Sequence, residues 1–565
     1  MSNIKVLQGL NLESDTSIVK VKIKENDSVI KLLDLIKSFH PIFIKSYTFT
    51  DDSLSIESKL PFLWRELVST LLDLSVDKIT YEEAKEYSLN EVIKQRISSM
   101  STIPILNSAQ RKGYEITPTL LIDERVPYTK TYNRHYTIGA GKGSEIVYSI
   151  SSSRDSKIAK EVQRDKWASN LMIQRLGLPI PKWEVLDNEK EIEKIWDQYE
   201  KPVVIKPTGL TGGKGVTTGI KSIEDAKKAY KWAVEMVNEK NRLEWQTRIM
   251  IQEQIKGEDY RILVVDGKLE IATKRIPAFV MGNGKKTVKE LIEETNKDPR
   301  RDITNPSHIL KPIVIDTPLL DFLKEQKISL EYIPKKEERV VVRKVASMSQ
   351  GGITEDYTEK VSPEIKYTVE SIAKSIHAFV IGVDVFCQDI SKPLTNENGG
   401  ILEINTMPEA YLNLYPVIGK QREYVIDTYV ENLLKENNSK KIVVVGQFNK
   451  DIPTLLRQKT LFGSYLKDTD YIGEFREGDL FINSLKINSG LDKEKTVESL
   501  KVNALFDTII IHHRDWEDVA DTGLGFDRID LVILSKEVSL NKEYMHLLRK
   551  YKRKGFIKKI KIIQN

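Results

Sequence analysis

The sequence predicts an α+β fold, and three observations support that prediction. Strand-like runs meet at Asp266-Gly267 in "DYRILVVDGKLEIATKRIP", a dipeptide that supplies the positive φ angles of a tight hairpin. Three further strand-like runs, "RVVVRKVAS", "AFVIGVDVFCQDI" and "GGILEINTMP", are separated by a helix and by clusters of Gly, Pro and Asn. After the polar linker "NLLKENNSKK", the run "IVVVGQFNKD" begins a new α/β unit. We therefore expect antiparallel sheets in the middle of the chain and an α/β region after them.

Composition restricts the class of protein. The chain has 565 residues, enough for about three or four domains, and is 40% hydrophobic and 30% charged, which is typical of a globular protein. No apolar run approaches the roughly 20 residues that a membrane helix needs. The start "MSNIKVLQGLNLESD" lacks the basic segment and apolar core of a secretory signal. We expect no membrane association and a cytoplasmic location.

The charged residues give no footprint for nucleic acid. The net charge of +5 is a small excess of 87 basic over 82 acidic side chains. The basic run "RKYKRKGFIKKIKII" is interpreted as a solvated helix that leads into an edge strand.

The single cysteine, Cys387, excludes internal disulfides and is expected to be a buried strand residue. The pair His512-His513, without further ligands, is interpreted as structural.

Three segments follow one another along the chain. Residues 1–135 mix strand-like runs such as "IVKVKIK" with the helix-like "LWRELVSTLLDL", and we predict an accessory α/β domain there. Residues 136–435 form the predicted central α+β domain, which begins with an amphipathic helix through "SKIAKEVQRDKWASNLMIQRLG" that ends at Gly177. A second helix is expected after Ser222, with Asp225 placed for a capping box. Residues 441–565 form the predicted C-terminal α/β domain.

The glycine-rich stretch "KPVVIKPTGLTGGKGVTTGI", residues 201–220, resembles a P-loop only at first sight. A P-loop needs Ser or Thr directly after Gly-Lys, whereas Lys214 is followed by Gly215. We predict a hairpin whose strands enter at Val203 to Lys206 and leave at Gly215 to Ile220. Backbone amides in such a tip can still close over phosphates, because glycine lets the chain approach an anion closely.

Two acidic residues lie inside apolar runs, Asp384 in "FVIGVDVF" and Glu403 in "GILEIN". Taken alone, each is more readily explained as a surface residue, but an unpaired carboxylate is costly to bury in such an apolar run. A divalent metal is a suitable partner, and Glu403 and Asn405, two apart on a strand, point to the same face.

Together these segments resemble the ATP-grasp superfamily and, within it, the ligase domain of cyanophycin synthetases. The resemblance covers residues 139–434, and its most specific phrases are "DYRILVVDGKLEIATKRIPAFVMGNGKKTVKELIEETNKDPRR", "GVDVFCQDISKPL" and "GGILEINTMP". The ligase domain of bifunctional glutathione synthetases is similar in the same blocks. The resemblance implies two α+β subdomains that hold ATP between antiparallel sheets.

The resemblance also implies roles for individual residues. Residues 208–215 look like the lid, 253–255 like the adenine hinge, and Asp259 like the ribose ligand. The implied nucleotide contacts are Lys166, Lys206, Thr208, Gly209, Gly212, Gly213, Gly215, Glu253, Gln254, Ile255 and Asp259. The implied ligands of two magnesium ions are Asp384, Glu403 and Asn405. Lys206 and Arg343 are implied to be catalytic, Arg343 by steadying the acyl phosphate, and the implied substrate contacts are Arg261, Arg275, Ser347, Ser349, Gly351 and Gly352.

The function so implied is an ATP-dependent carboxylate-amine ligase that forms an amide or isopeptide bond through an acyl phosphate and releases ADP and phosphate. Its substrates would be amino acids or peptides, and its state a homodimer or homotetramer. The lid reads "TGLTGGKG" where cyanophycin synthetases carry a "DGNHGRG" pattern, so the acceptor stays open. The alternatives are a glutathione-synthetase-type small-peptide ligase and a non-catalytic ATP-binding assembly subunit.

The last segment resembles the Mur-ligase-like half of cyanophycin synthetases, which carries a P-loop of the form G-T-N-G-K-T-T. The equivalent stretch here is "GQFNKDI", residues 446–452, in which Asn449 replaces a glycine and Asp451 replaces the metal-binding threonine. An acidic side chain there would repel phosphate. We expect a truncated, inactive Mur-like domain, with an unrelated α/β domain as the alternative.

Overall fold

The computed structural model describes residues 4–39, 42–50, 52–93, 100–120, 134–210, 213–238, 248–303, 308–448, 451–458 and 465–564. The chain divides into two compact units, one made of Met1–Ser149 with Ile426–Asn565 and the other of Ile150–Val425. We call them the composite unit and the central unit. The three-domain division at residues 135 and 441 stays a prediction, and the predicted residues Gly212, Asn449 and Lys450 lie outside the described residues.

The first part of the composite unit contains a four-stranded antiparallel sheet in the order β1-β2-β4-β3. Strands β5 to β7 form a second antiparallel arrangement. The elements are β1 (Ile4–Leu7), β2 (Ile18–Val21), α1 (Asp27–Phe39), β3 (Ser46–Phe49), β4 (Leu54–Glu57), α2 (Pro61–Ser75), α3 (Tyr81–Glu86), a π-helix (Tyr87–Ile93), α4 (Thr102–Lys112), β5 (Ile116–Pro118), β6 (His135–Ile138) and β7 (Glu145–Tyr148).

The central unit is built on two antiparallel sheets, as expected from its sequence. Its elements are β8 (Ser151–Ser152), α5 (Lys157–Arg164), α6 (Lys166–Arg175), β9 (Trp183–Leu186), α7 (Lys190–Ile195), β10 (Val203–Pro207), β11 (Thr217–Ile220), α8 (Ile223–Asn238), β12 (Ile249–Glu253), β13 (Glu258–Val265), β14 (Lys268–Ile276), β15 (Phe279–Met281), α9 (Val288–Thr295), α10 (Thr317–Glu325), β16 (Arg339–Val341), β17 (Ile353–Asp356), α11 (Pro363–Ser375), β18 (Val380–Cys387), β19 (Gly399–Asn405) and α12 (Tyr411–Leu414). One sheet has the order β11-β10-β12-β9 and packs on α8, and the other has the order β17-β14-β13-β18-β19 and packs on α11. Strands β15 and β16 form a small module with α9 and α10.

Both predicted hairpins are confirmed. Strands β10 and β11 pair antiparallel around the glycine-rich stretch. Strands β13 and β14 pair around Asp266 and Gly267, whose φ angles are 47° and 73°. Cys387 is buried on β18, also as predicted.

The single helix expected before Gly177 is wrong. The chain leaves the helical conformation at Asp165, where φ is −131° and ψ is 119°, and α5 and α6 are separate helices. The Asp165 carboxylate caps α6 by accepting a hydrogen bond from the Trp167 amide at 2.9 Å. The break makes Lys166 the first residue of α6.

The second part of the composite unit is a seven-stranded sheet in the order β23-β22-β21-β24-β20-β25-β26, in which β21, β24, β20, β25 and β26 are parallel. Helix α13 (Tyr424–Leu433) precedes it. The elements are β20 (Lys440–Val445), α14 (Ile452–Arg457), β21 (Ile472–Arg476), β22 (Asp479–Ile482), β23 (Leu485–Asn488), α15 (Lys493–Val502), β24 (Thr508–His513), α16 (Trp516–Thr522), β25 (Ile529–Ser535), α17 (Lys542–Arg553) and β26 (Ile557–Ile563). The basic run forms α17 and the edge strand β26, as predicted.

Both ends of the chain contribute to one core in the composite unit. Leu10 lies in the same hydrophobic cluster as Phe526 of the C-terminal part. Lys501 and Glu115, 386 residues apart in the sequence, form a buried ion pair of 2.9 Å. The parallel sheet therefore shares its packing with residues from the first part of the chain.

Candidate active site

Lys206 lies on β10, on the face opposite the packed core. Its neighbours Val203 and Ile205 point into the cluster under α8, so strand alternation turns Lys206 to the other side. Its ammonium donates to Gln252 Oε1 at 2.6 Å, and the side chain is buried. Burial, with a smaller contribution from nearby Lys166, lowers the pKa of Lys206 from 10.5 to about 8, and Glu403 counteracts this.

Lys166 reaches the same region from the start of α6. Its backbone amide donates to Thr208 O at 3.0 Å, and its ammonium donates to Leu210 O at 2.6 Å. The ammonium also lies 3.7 Å from Glu403 Oε1. The structure thus brings together Lys166, Lys206 and Glu403, which are far apart in the sequence.

A second cluster joins two acids and two arginines across β13, β14 and β18. Strand register places Arg261 opposite Asp384 and Asp259 opposite Arg275. Arg261 binds both oxygens of Asp384, and Arg275 bridges Asp259 at 2.6 Å and Asp384 at 3.0 Å. Burial raises the pKa of Asp259 to about 6, against the opposing effect of Arg275. Burial acts in the same direction on Asp384, but Arg261 and Arg275 outweigh it and hold the pKa of that carboxyl below its usual value.

The predicted metal ligands share one face of the second sheet. Asp384 pairs with Glu403 and Gly382 pairs with Asn405 in the register of β18 and β19. Their carboxylate and amide oxygens are the donors that Mg²⁺ takes in proteins. In the part of the chain that the structure describes, no group of three or more His, Cys, Asp or Glu side chains is placed to hold a metal ion. The predicted set, two carboxylates and one amide, has suitable donor atoms on one face, but both oxygens of Asp384 are bound by arginines, so its role as a magnesium site stays a prediction.

Residues 164–277 match the family described as phosphoribosylglycinamide synthetase, ATP-grasp (A) domain. The match assigns residues 164–277 to an ATP-grasp domain. A cyanophycin synthetase from Synechocystis sp. is 32% identical over 339 residues, which cover 60% of this chain and 38% of that protein. A bifunctional glutathione biosynthesis protein from Clostridium perfringens is 30% identical over 292 residues, which cover 51% of this chain and 36% of that protein.

Among solved structures, the crystal structure of a bifunctional glutathione synthetase from Pasteurella multocida is 24% identical, covers 63% of this chain and 46% of that one, and has a TM-score of 0.47. The chain spans less than half the length of the two curated relatives named above. Within the described residues, no helix combines the length and the hydrophobicity needed to cross a membrane.

The predicted lid and hinge of the ATP-grasp domain adjoin β10 and β12. Thr208 is buried, and its hydroxyl finds no hydrogen-bond partner among the described residues. Gly213 and Gly215 have φ angles of 74° and 71°, and a Cβ at Gly215 would come within 2.7 Å of Pro207 Cγ. Gly209 precedes the undescribed residues 211–212. The lid assignment stays a prediction.

The predicted hinge of the ATP-grasp domain is tied to its neighbours through the backbone. Glu253 N donates to Lys182 O at 2.9 Å, and Gln254 N donates to Pro202 O at 3.1 Å. Gln254 Oε1 accepts from Gly219 N at 2.6 Å, which links the hinge to β11. Ile255, the last hinge residue, is half-buried. Asp259 lies in the arginine cluster, and its predicted role toward ribose is untested.

Arg343 lies just after β16, and its described contacts are with residues outside both clusters. It is buried, its Nη1 lies 2.7 Å from Asp316 Oδ1, and its Nη2 donates to Val314 O at 2.6 Å. The described contacts therefore link Arg343 to the segment before α10.

The predicted substrate segment, residues 347–352, forms a tight turn. The hydroxyls of Ser347 and Ser349 lie 2.8 Å apart. Gly351 has a φ of 90°, and its carbonyl accepts from the buried Arg301 at 3.1 Å. Gly352 is packed so closely that a Cβ would lie 2.6 Å from Met348 Cε.

Three polar residues of the central unit were missed in the sequence analysis: Gln252, Arg301 and Asp316. Gln252 holds Lys206 and is buried, with its Nε2 unpaired among the described residues. A signal for it exists, because it is a polar residue within the apolar run "IMIQEQI". Arg301 carries no comparable local signal, since it lies in the polar stretch "NKDPRRD". Asp316 does carry one, because it follows the apolar run "PIVI" and precedes Thr-Pro, a pattern typical of a helix start.

In the composite unit, Asp451 is the residue predicted to stand in place of a P-loop threonine, and that equivalence stays a prediction. Its carboxylate caps α14 by accepting from Thr454 N at 3.0 Å and from Thr454 Oγ1 at 2.8 Å. Both acceptor bonds satisfy groups at the start of the helix that follows β20.

Proposed function

We propose that this chain is an ATP-dependent carboxylate-amine ligase that joins amino acids or peptides through an acyl phosphate. The observation that carries the proposal is the convergence of Lys166, Lys206 and Glu403 within an ATP-grasp domain. Two ammonium groups beside a carboxylate suit a site for polyphosphate and a divalent cation.

The chemistry requires two steps. The substrate carboxylate oxygen attacks the γ-phosphorus of ATP and ADP leaves, and then the amine nitrogen attacks the acyl carbon and phosphate leaves. Magnesium, when bound, neutralises charge on the transferring phosphoryl group. Asp384, Glu403 and Asn405 would hold it, and binding requires Asp384 to share its oxygens with Arg261 and Arg275.

Each basic residue has a role in this proposal. Lys166 and Lys206 hold the phosphates as compact charges, and the burial of Lys206 excludes water from its ammonium. Arg343 offers a planar fork to the acyl phosphate and to the oxyanion formed next. When Asp384 binds the cation, Arg261 and Arg275 become available to contact the substrate.

The substrates in this proposal are amino acids or peptides, and the chain acts in the cytoplasm as a homodimer or homotetramer. A second candidate, a glutathione-synthetase-type small-peptide ligase, is favoured by the 30% identity to the glutathione biosynthesis protein. A non-catalytic ATP-binding subunit is disfavoured by the presence of Lys206, Asp384, Glu403, Asn405 and Arg343 together.

We also propose that residues 441–565 do not use ATP. The Asp451 carboxylate already accepts from Thr454 N at the start of α14, where a phosphate would otherwise bind. A second negative charge there would be repelled.

The test is a substrate screen with purified protein. The chain is incubated with MgATP and with the twenty standard amino acids singly, in pairs, and each combined with a set of dipeptides that includes γ-glutamylcysteine. Amine-dependent ADP is measured together with mass analysis of the product. Lys206→Met is the matched control. Amine-dependent ADP, phosphate and a condensed product support the proposal, and glutathione as the only product supports the second candidate. Amine-dependent AMP and pyrophosphate would contradict the acyl-phosphate route.

A further inference from the structure

Asp316 performs two tasks with one oxygen atom. It is the N-cap of α10, where its Oδ1 accepts a hydrogen bond from Leu319 N at 3.1 Å. The same Oδ1 lies 2.7 Å from Nη1 of Arg343. The start of α10 is thereby tied to the arginine.

The two partners differ in burial. The Arg343 side chain is 3% exposed, whereas that of Asp316 is 40% exposed. A buried guanidinium needs an anionic partner and acceptors for its donors. Asp316 supplies the only carboxylate in contact with Arg343 among the described residues, and Val314 O accepts from Nη2 at 2.6 Å.

Two nitrogens of the guanidinium lack a well-aligned acceptor. Nε and Nη1 of Arg343 are buried and make no hydrogen bond among the described residues, although Nη1 lies 2.7 Å from Asp316 Oδ1 as an ion pair. That ion pair and the hydrogen bond from Nη2 to Val314 O hold the guanidinium, and they leave donors free for a further acceptor. An incoming phosphoryl oxygen would supply the missing acceptor.

We propose that Asp316 is a positioning residue for Arg343, which holds the guanidinium in the orientation that receives the phosphoryl group of the acyl phosphate. This inference rests on the proposed function. If Asp316 served only as a helix cap, any good capping residue would replace it without effect on phosphoryl binding.

The variant Asp316→Asn separates the two tasks, because asparagine caps helices about as well as aspartate but carries no charge. Asp316→Ser is a second variant with a capping oxygen and no charge. The matched control is Asp492→Asn, at the N-cap of α15 in the composite unit, where Asp492 accepts from Lys495 N at 2.9 Å. The unfolding temperature of Asp492→Asn is expected to stay close to that of the wild type, whereas those of the two Asp316 variants are expected to fall, because the buried Arg343 loses its anionic partner. The effect of each ligand is therefore measured relative to the unliganded form of the same variant.

The probe is MgADP with aluminium fluoride, which imitates the transferring phosphoryl group and needs no knowledge of the amino-acid substrate. We expect MgADP to raise the unfolding temperature of every variant and aluminium fluoride to raise it further in the wild type and in Asp492→Asn. In Asp316→Asn and Asp316→Ser, the affinity for aluminium fluoride is expected to fall about ten- to a hundredfold while MgADP binds as before.

The outcomes separate the inference from the function on which it rests. Unchanged aluminium fluoride affinity in both Asp316 variants overturns the positioning role alone. Loss of the MgADP response in those variants also overturns it, because Asp316 would then act on the structure of the whole site. A wild type that does not respond to MgADP refutes the proposed function itself.

Discussion

Replacing Lys206 by methionine should raise the stability of the central unit near neutral pH and at the same time abolish ATP turnover. Methionine keeps most of the side-chain length and removes the buried charge. The activity is lost because the variant has no ammonium to hold phosphate oxygens. The stability gain follows from the cost of keeping that ammonium charged in a buried position.

The magnitude follows from the pKa of Lys206, which is about 8 in the folded protein and 10.5 in a solvated lysine. That difference corresponds to about 3 kcal/mol of charging cost below pH 8. The variant also leaves Gln252 Oε1 without its donor, which costs about 1–3 kcal/mol. Near pH 7 the two effects leave a net change of about 0 to 2 kcal/mol in favour of the variant.

The pH dependence isolates the charge, because the loss at Gln252 is the same at every pH. Between pH 8 and pH 10.5, Lys206 is protonated in the unfolded chain but largely neutral in the folded one, so the free energy of unfolding of the wild type rises with pH across this window. The stability gained from neutral Lys206 is complete above pH 10.5 and is lost progressively as the pH falls to about 8. Because methionine does not titrate, the stability advantage of Lys206→Met over the wild type should fall by about 3 kcal/mol from pH 7 to pH 11.

Calorimetry of wild type and variant in parallel measures this difference and cancels the other titrating groups. The transition that shifts with MgATP in the wild type identifies the central unit. Gln198→Met, at an exposed position, is a control for the introduction of methionine. A stability difference that stays constant from pH 7 to pH 11 would show that Lys206 is not held with a lowered pKa.

Three further predictions concern catalysis. Glu403→Gln should abolish ATP turnover and leave the unfolding temperature unchanged, because an amide is a weaker magnesium ligand than a carboxylate. Phosphate release and thermal melting test this prediction. Undiminished turnover would show that Glu403 is not a metal ligand. The reaction should release ADP and phosphate rather than AMP and pyrophosphate, since only the γ-phosphoryl group is transferred. Chromatography of the nucleotides distinguishes ADP from AMP. Lys450, which lies outside the described residues, should not matter for ligation, so Lys450→Ala should leave the ligase rate within about twofold, a difference of roughly 0.4 kcal/mol in activation free energy. If the variant loses a separately measurable ATP-consuming step without being destabilised, the C-terminal part is active.

Local patterns in the sequence determined the hairpins and the isolated strands. Asp266 and Gly267 tolerate the positive φ angles of their turn, so the pairing of β13 with β14 follows from two adjacent residues. Alternation places Glu403 and Asn405 on one face of β19 without any knowledge of the partner strand.

The helix break before Lys166 could not be predicted from such local patterns. The run through residues 157–176 has the period of one helix, and Asp165 leaves it because its carboxylate caps α6 and the adjacent Lys166 amide donates to Thr208 O. That acceptor lies more than 40 residues further along the chain. No local pattern encodes a hydrogen bond over that separation.

By itself the sequence determined which residues carry charge, where turns form and which side chains share a strand face, because these properties depend on neighbours within a few residues. The tertiary structure alone decided that Arg261 and Arg275 bind Asp384, that Gln252 holds Lys206, and that Asp316 holds Arg343. It also decided that Lys501 and Glu115 meet in one core. The reason is physical: burial and pairing of charges depend on strand register and on chain segments that meet only in the folded state, and neither is a property of local sequence.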